Sequence, residues 1–238
     1  MLKFNIFGIP VTVEPWFWAM GFFLGRGFQH LQNGEYMFIA TWLVIIFFSI
    51  LVHELGHALV GHKLGGGRTW IKLWAFGGLA YHQAARFTPK TFRMMVLAGP
   101  VAGLCLFVGT VITMLILWPG QTGRDLVGLA IGYLDPYDLN QGALDILVNT
   151  YIKFYIFNQL IWVNLWWSLV NLLPILPLDG GQLADSYIKS RKKMYMISMV
   201  TAGVVIVVGA AVFKSPFIAM MFAFFAFQSY QGYQQSQY

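Results

Sequence analysis

Apolar residues fall along the chain in six long blocks separated by shorter polar intervals. A helix needs about 20 consecutive apolar residues to cross a bilayer. The blocks, roughly 15–31, 36–62, 91–118, 149–173, 195–213 and 216–230, meet that length or approach it; the first, rich in Trp and Phe, is marginal. The pattern predicts an α-helical polytopic membrane protein with about six transmembrane helices, organised as a single integral-membrane domain over 1–238. Three intervals carry a different rhythm. Residues 3–13 alternate apolar and polar side chains and predict a strand within an N-terminal segment 1–14. Residues 68–84, RTWIKLWAFGGLAYHQA, predict a membrane-associated β-hairpin turning at Gly77-Gly78. Residues 119–148, which hold Asp125, Asp135, Asp138 and Asp145, predict a loop, and the chain ends in the short polar run QGYQQSQY.

Composition sharpens this picture. Hydrophobic residues make up 58% of the chain and charged residues only 10%, against roughly 45–50% and 25% in soluble domains. So few charges cannot cover a water-facing surface, so the lipid bilayer is the main solvent and a nucleic-acid-binding role is excluded. The net charge of +6 then reflects loops facing the cytoplasm. With six spans and a cytoplasmic N-terminus, eleven of the 15 basic residues lie inside, from Lys3, Lys63 and Arg68 to Lys189 and Lys193. Only Arg26, Arg124, Lys153 and Lys214 lie outside. The asymmetry predicts that both termini are cytoplasmic and puts the 119–148 loop on the far side. The start, MLKFNIFGIPVTVEP, lacks the organisation of a cleavable leader, and the single Cys105 excludes an intrachain disulfide.

The second block contains His53-Glu54-Leu55-Gly56-His57. Residues four apart share one face of a helix, so His53 and His57 can offer two imidazoles to one Zn²⁺. Glu54, about 100° round the helix, is placed beside such a metal as a general base. The competing account is a packing or ion-conducting cluster, but three ionisable groups within one turn are costly in lipid and are functional by default.

Catalytic zinc takes three protein ligands and leaves one position open. The glutamates are Glu14, Glu35 and Glu54, so none follows the motif to act as the third ligand. His62 lies one turn beyond His57 and points along the helix. His82, in the hairpin, remains open as a third ligand. With four aspartates in the outer loop, Asp179 and Asp185 remain, and Asp179 has the better context, NLLPILPLDGG over 171–181. Its prolines disfavour helix and its glycines permit a tight turn. Broken backbone at membrane depth is tolerated where it is buried or lines a wet cavity. The alternative for Asp179 is a cap on the short helix that follows.

HELGH in an apolar helix, followed by NLLPILPLDGG, resembles the site-2 protease family of intramembrane zinc metalloproteases. The resemblance takes in the N-terminal strand, the six blocks, the hairpin and AGPVAG at 98–103, nearly the whole chain. It implies one Zn²⁺ per chain bound by His53, His57 and Asp179, with Glu54 as general base. It implies that Asn171 contacts the substrate backbone or the developing oxyanion, and that the hairpin edge pairs with an unwound substrate. No segment could hold a PDZ domain, and the tail is too short for a nucleotide-binding pair, so the expected unit is close to a bare catalytic core.

The expected function is hydrolysis of a peptide bond within or near a transmembrane segment of another membrane protein, at an active site open to the cytoplasm. The rival is a non-catalytic membrane metal-binding or carrier protein. A carrier would more often show paired broken helices in two related halves, and the sequence has none.

Overall fold

The computed structural model describes residues 1–188, 190–211 and 216–236. Lys189 and Lys214, the end of the fifth apolar block and the last two residues of the polar tail lie outside the described residues. The chain begins with two strands where the alternation predicts one. β1 (Leu2–Ile6) and β2 (Ile9–Val13) form an antiparallel hairpin. Its turn is Phe7-Gly8, both at positive φ, the geometry that matches the twist of flanking strands. The alternation runs through the turn, leaving Gly8 as the sole local sign of it.

β3 (Arg68–Trp74) and β4 (Gly77–Gln83) form the second hairpin, as expected. Its turn, however, is Ala75-Phe76, and the two glycines open β4. β2 pairs in parallel with β3, so the hairpins join into one sheet of order β1-β2-β3-β4, with β4 at an edge. One sheet face buries Ile9, Val11, Val13, Ile71 and Leu73 against Ile50, Leu51, Leu55 and Ala58 of α3 (Tyr36–Gly65).

The first expected span is not one helix. α1 (Pro15–Leu24) and α2 (Gly27–Gln32) are separated at Gly25-Arg26, with Arg26 at φ 53°. The Trp42 indole of α3 occupies the place a Gly25 side chain would need and donates to the Gly21 carbonyl at 2.8 Å. Ten residues of helix reach about 15 Å, half a bilayer core.

Among the described residues, three helices are long and apolar enough to cross a membrane: α3, α4 (Pro89–Leu117) and α9 (Arg191–Ala211). α7 (Tyr151–Asn171) has the length of a span but carries Asn158, Gln159, Asn164, Ser168 and Asn171. α4 opens with a reciprocal cap between Thr88 and Thr91 and continues through Pro100 as one helix.

The expected 119–148 loop is largely helical: α5 (Gln121–Ile131), a short 3-10 turn (Pro136–Asp138) and α6 (Gln141–Asn149). Gly120 and Gly132 fall where α5 starts and stops, and Gly123 and Gly128 where it packs closely. Leu126 and Ala130 are buried against Met114, Phe154 and Ile161. Asp125, also buried, accepts the Asn140 backbone N–H at 2.8 Å, and the Asn140 side chain caps α6. After α7 the chain makes an irregular turn into α8 (Asp179–Asp185). α9 and α10 (Pro216–Gln235) then pack as a pair, burying Ala202, Phe222 and Phe225 around Ile175.

Candidate metal centre

α3 buries His53, Glu54 and His57 together, and α8 brings Asp179 to them from far along the chain. His53 Nε2 lies 3.1 Å from Asp179 Oδ2, His57 Nε2 lies 3.2 Å from it, and the two nitrogens are 3.2 Å apart. These are the residues, among those described, grouped closely enough to hold one metal ion. Two tetrahedral zinc ligands at 2.0–2.2 Å are about 3.3–3.5 Å apart, within a few tenths of an ångström of these separations.

The chemistry of the donors fits the same ion. His57 Nδ1 lies 2.9 Å from the Met95 carbonyl of α4, which can only accept. Nδ1 therefore carries a hydrogen, which leaves Nε2 as the atom able to turn a lone pair to a metal. Three electron-rich atoms in a buried triangle repel one another unless a cation sits between them. The outward hydrogen bond from a ligating histidine is also what orients it.

Asp179 is the first residue of α8, with Leu178 at the N-cap, and its side chain turns to the histidines instead of capping the helix. The glycines after it serve close approach: Gly180 lies on the Leu172 and Leu173 carbonyls and Gly181 on the Ile175 backbone. Neither has positive φ, so the expected glycine turn is instead a helix start pressed onto the preceding loop. Arg93 of α4 holds the other end of α8. Its guanidinium donates to the Ser186 hydroxyl and carbonyl, each at 3.0 Å, and stacks 3.5 Å from the Tyr187 ring.

Glu54 is buried beside the triangle, against Gly78 of β4; any side chain at Gly78 would strike its carboxylate. Gly99 does the same for the His57 ring, so α4 packs directly against that histidine. Gly56 meets the Ala98 carbonyl and sets the approach of α3 to α4. Asn171, at the end of α7, borders the same cleft of about 170 Å³ as His53, Glu54, His57, Asp179 and β4 residues Gly78–Ala80. Its amide Nδ2 donates to the Trp167 carbonyl at 2.8 Å.

The competing ligands lie elsewhere. His82 sits against Gly61 with Nδ1 3.2 Å from Thr69 Oγ1, His62 is exposed, and Asp185 pairs with Arg191 at 3.0 Å. Sequence reasoning missed Met95, which acts through its backbone, and Gly78 and Arg93, whose roles need the sheet and α8 in place.

The chain matches the sequence model of Peptidase family M50 over residues 41–213. The protein belongs to this family. A Synechocystis protein, sll0528, provisionally named a zinc metalloprotease, is 31% identical over 195 residues, which are 77% of this chain and 43% of that protein. Zinc metalloprotease MJ0392 of Methanocaldococcus jannaschii is 26% identical over 196 residues, 82% of this chain and 47% of that protein. The chain thus spans less than half the length of these curated relatives. The solved site-2 protease of Methanocaldococcus jannaschii shares the fold at TM-score 0.58 and 20% identity, covering 98% of this chain and 94% of that one.

Proposed function

We propose that this M50 protein is a zinc-dependent endopeptidase that hydrolyses a peptide bond within or near a transmembrane segment of a membrane-protein substrate. The observation that carries the reading is the convergence of His53, His57 and Asp179 on one point, with Glu54 beside it, in a cleft bordered by an edge strand. His53, His57 and Asp179 would hold one Zn²⁺ between the atoms that face one another. When bound, the ion supplies a Lewis acid that activates water near neutral pH and polarises a carbonyl.

Glu54 accepts a proton from the attacking water and returns it to the leaving amine. The burial of its carboxylate keeps bulk water from competing for that proton. Asn171 offers an amide N–H to the substrate backbone or to the developing oxyanion; its Nδ2 has two, of which the Trp167 carbonyl takes one. A helical substrate cannot present a carbonyl while that group is bonded within its own helix. The edge strand β4 replaces the lost bonds by strand addition. The basic-residue asymmetry supports six spans and an active site opening to the cytoplasm.

The test is to express wild type and Glu54→Gln in the same membranes and map new protein termini by mass spectrometry. Termini inside apolar segments that appear only with wild type support the reading. Identical maps overturn it, because the variant removes the proton acceptor and little else.

A further inference from the structure

Among the buried polar atoms without a hydrogen-bond partner in the described residues are His53 Nδ1 and Ser168 Oγ. Both residues are buried, at 2% and 0% exposure. Nδ1 is on the side of the His53 ring away from Nε2, and Nε2 is the atom that meets Asp179 and His57. The two atoms belong to one layer of the helix bundle. Asn164 Nδ2 of α7 donates to Ser49 Oγ of α3 at 2.9 Å. Farther along, His53 and His57 of α3 border the same cleft as Asn171 of α7, so the two helices run in the same direction. His53 is one turn on from Ser49, and Ser168 is one turn on from Asn164. α4 forms the third wall: Gly103 faces the Ser168 hydroxyl and the Asn164 carbonyl oxygen, and Gly99, one turn away, faces His57.

We propose that Ser168 is a positioning residue for His53, its hydroxyl accepting the His53 Nδ1–H through one enclosed water. This rests on the metal-centre reading above. With Nε2 committed to a metal, Nδ1 must carry the proton, and a ligating histidine directs that N–H to a carboxylate, carbonyl or water. His57 does so with the Met95 carbonyl; His53 has no carbonyl in reach. A buried water needs two to four polar partners, and His53 Nδ1, Ser168 Oγ and the Asn164 carbonyl supply them. The Ser168 hydroxyl itself fills the space that a side chain at Gly103 would take, at the level of α4 that faces the histidines. The plainer account is that Ser168 is merely small enough to let α7 approach Gly103. A spacer of that kind tolerates alanine without any effect on metal.

The full chain in detergent, stripped of metal, is titrated with zinc against a competing chelator for wild type, Ser168→Ala and Ser168→Cys. The cysteine keeps the volume and replaces the oxygen with a weaker acceptor, so it carries the comparison should the alanine variant not fold. Loss of an outer partner weakens zinc binding by about 10–100-fold. The expected result is a drop of that size in Ser168→Ala and a smaller one in Ser168→Cys. The thermal midpoint of the metal-free protein should stay unchanged, and the visible bands of the cobalt-loaded protein should shift. A folded variant that holds zinc within about twofold of wild type overturns the role of Ser168 and leaves the metal centre standing. Wild type that binds no zinc overturns both.

Discussion

Replacing Asp179 by alanine removes one corner of the buried triangle. Asp179 Oδ2 lies 3.1 Å from His53 Nε2 and 3.2 Å from His57 Nε2, and His82, the other ligand left open by the sequence, lies outside the group. Complete zinc sites in small peptides bind with about 10–16 kcal/mol. Shared over four ligands, one ligand contributes about 2.5–4 kcal/mol, or two to three decades in affinity at about 1.4 kcal/mol per decade. Asp179→Ala should therefore lose its metal to a mild chelator during purification and show no turnover. Asp179→Asn, which keeps the shape with a neutral oxygen, should be depleted as well. His82→Ala should keep its zinc, because that ring rests on Gly61 and Thr69, one turn of α3 away from the triangle. Zinc content by elemental analysis of the three purified variants decides the matter. Full occupancy in Asp179→Ala with an empty His82→Ala would refute the assignment and make PLDGG a structural segment.

Glu54→Gln should retain near-wild-type zinc while cleavage of a reconstituted transmembrane substrate falls by at least about a hundredfold; cleavage at the wild-type rate would remove Glu54 as the base and favour a purely metal-binding role. Gly99→Ala should displace the His57 ring and lower zinc affinity, whereas Gly109→Ala, on the same helix with open space beside it, should leave zinc untouched and add up to about 1 kcal/mol of helix stability, both read from chelator titration and thermal unfolding. A reporter that fluoresces only in the cytoplasm should be bright after Tyr238 and dark after Asp135; the reverse pattern would overturn the inside-rich placement of the basic residues and the six-span count.

Much of the site was legible because its chemistry is local. His53, Glu54 and His57 share five residues, and Asp179 was the best-placed carboxylate left once the outer-loop residues were set aside. Metal-ligand spacing on a helix depends on nothing beyond the helix. What was not legible depends on contacts between distant segments. The Met95 carbonyl that orients His57 has no side-chain signature. Gly77-Gly78 looked like a turn and instead makes room for Trp167 and Glu54, and 119–148 looked like a loop although most of it is helical. The first apolar block looked continuous because the residue that divides it, Trp42, lies on another helix.

The triangle joins residues 126 positions apart. His53 and His57 leave the ribosome long before Asp179, and between them the chain must lay down the second hairpin and four further helices. Two histidines alone are a poor zinc site, so, if the site holds zinc as proposed, a partly made chain would hold the ion weakly and tight binding would begin only when α8 brings Asp179 to the histidines. By mass action the ion then stabilises the finished arrangement in proportion to the logarithm of its free concentration. On the proposed reading, metal supply and completion of the fold are coupled: a shortage of zinc would hold this protein in a looser, more easily degraded form, and a truncation before residue 179 would leave a chain unable to complete the site.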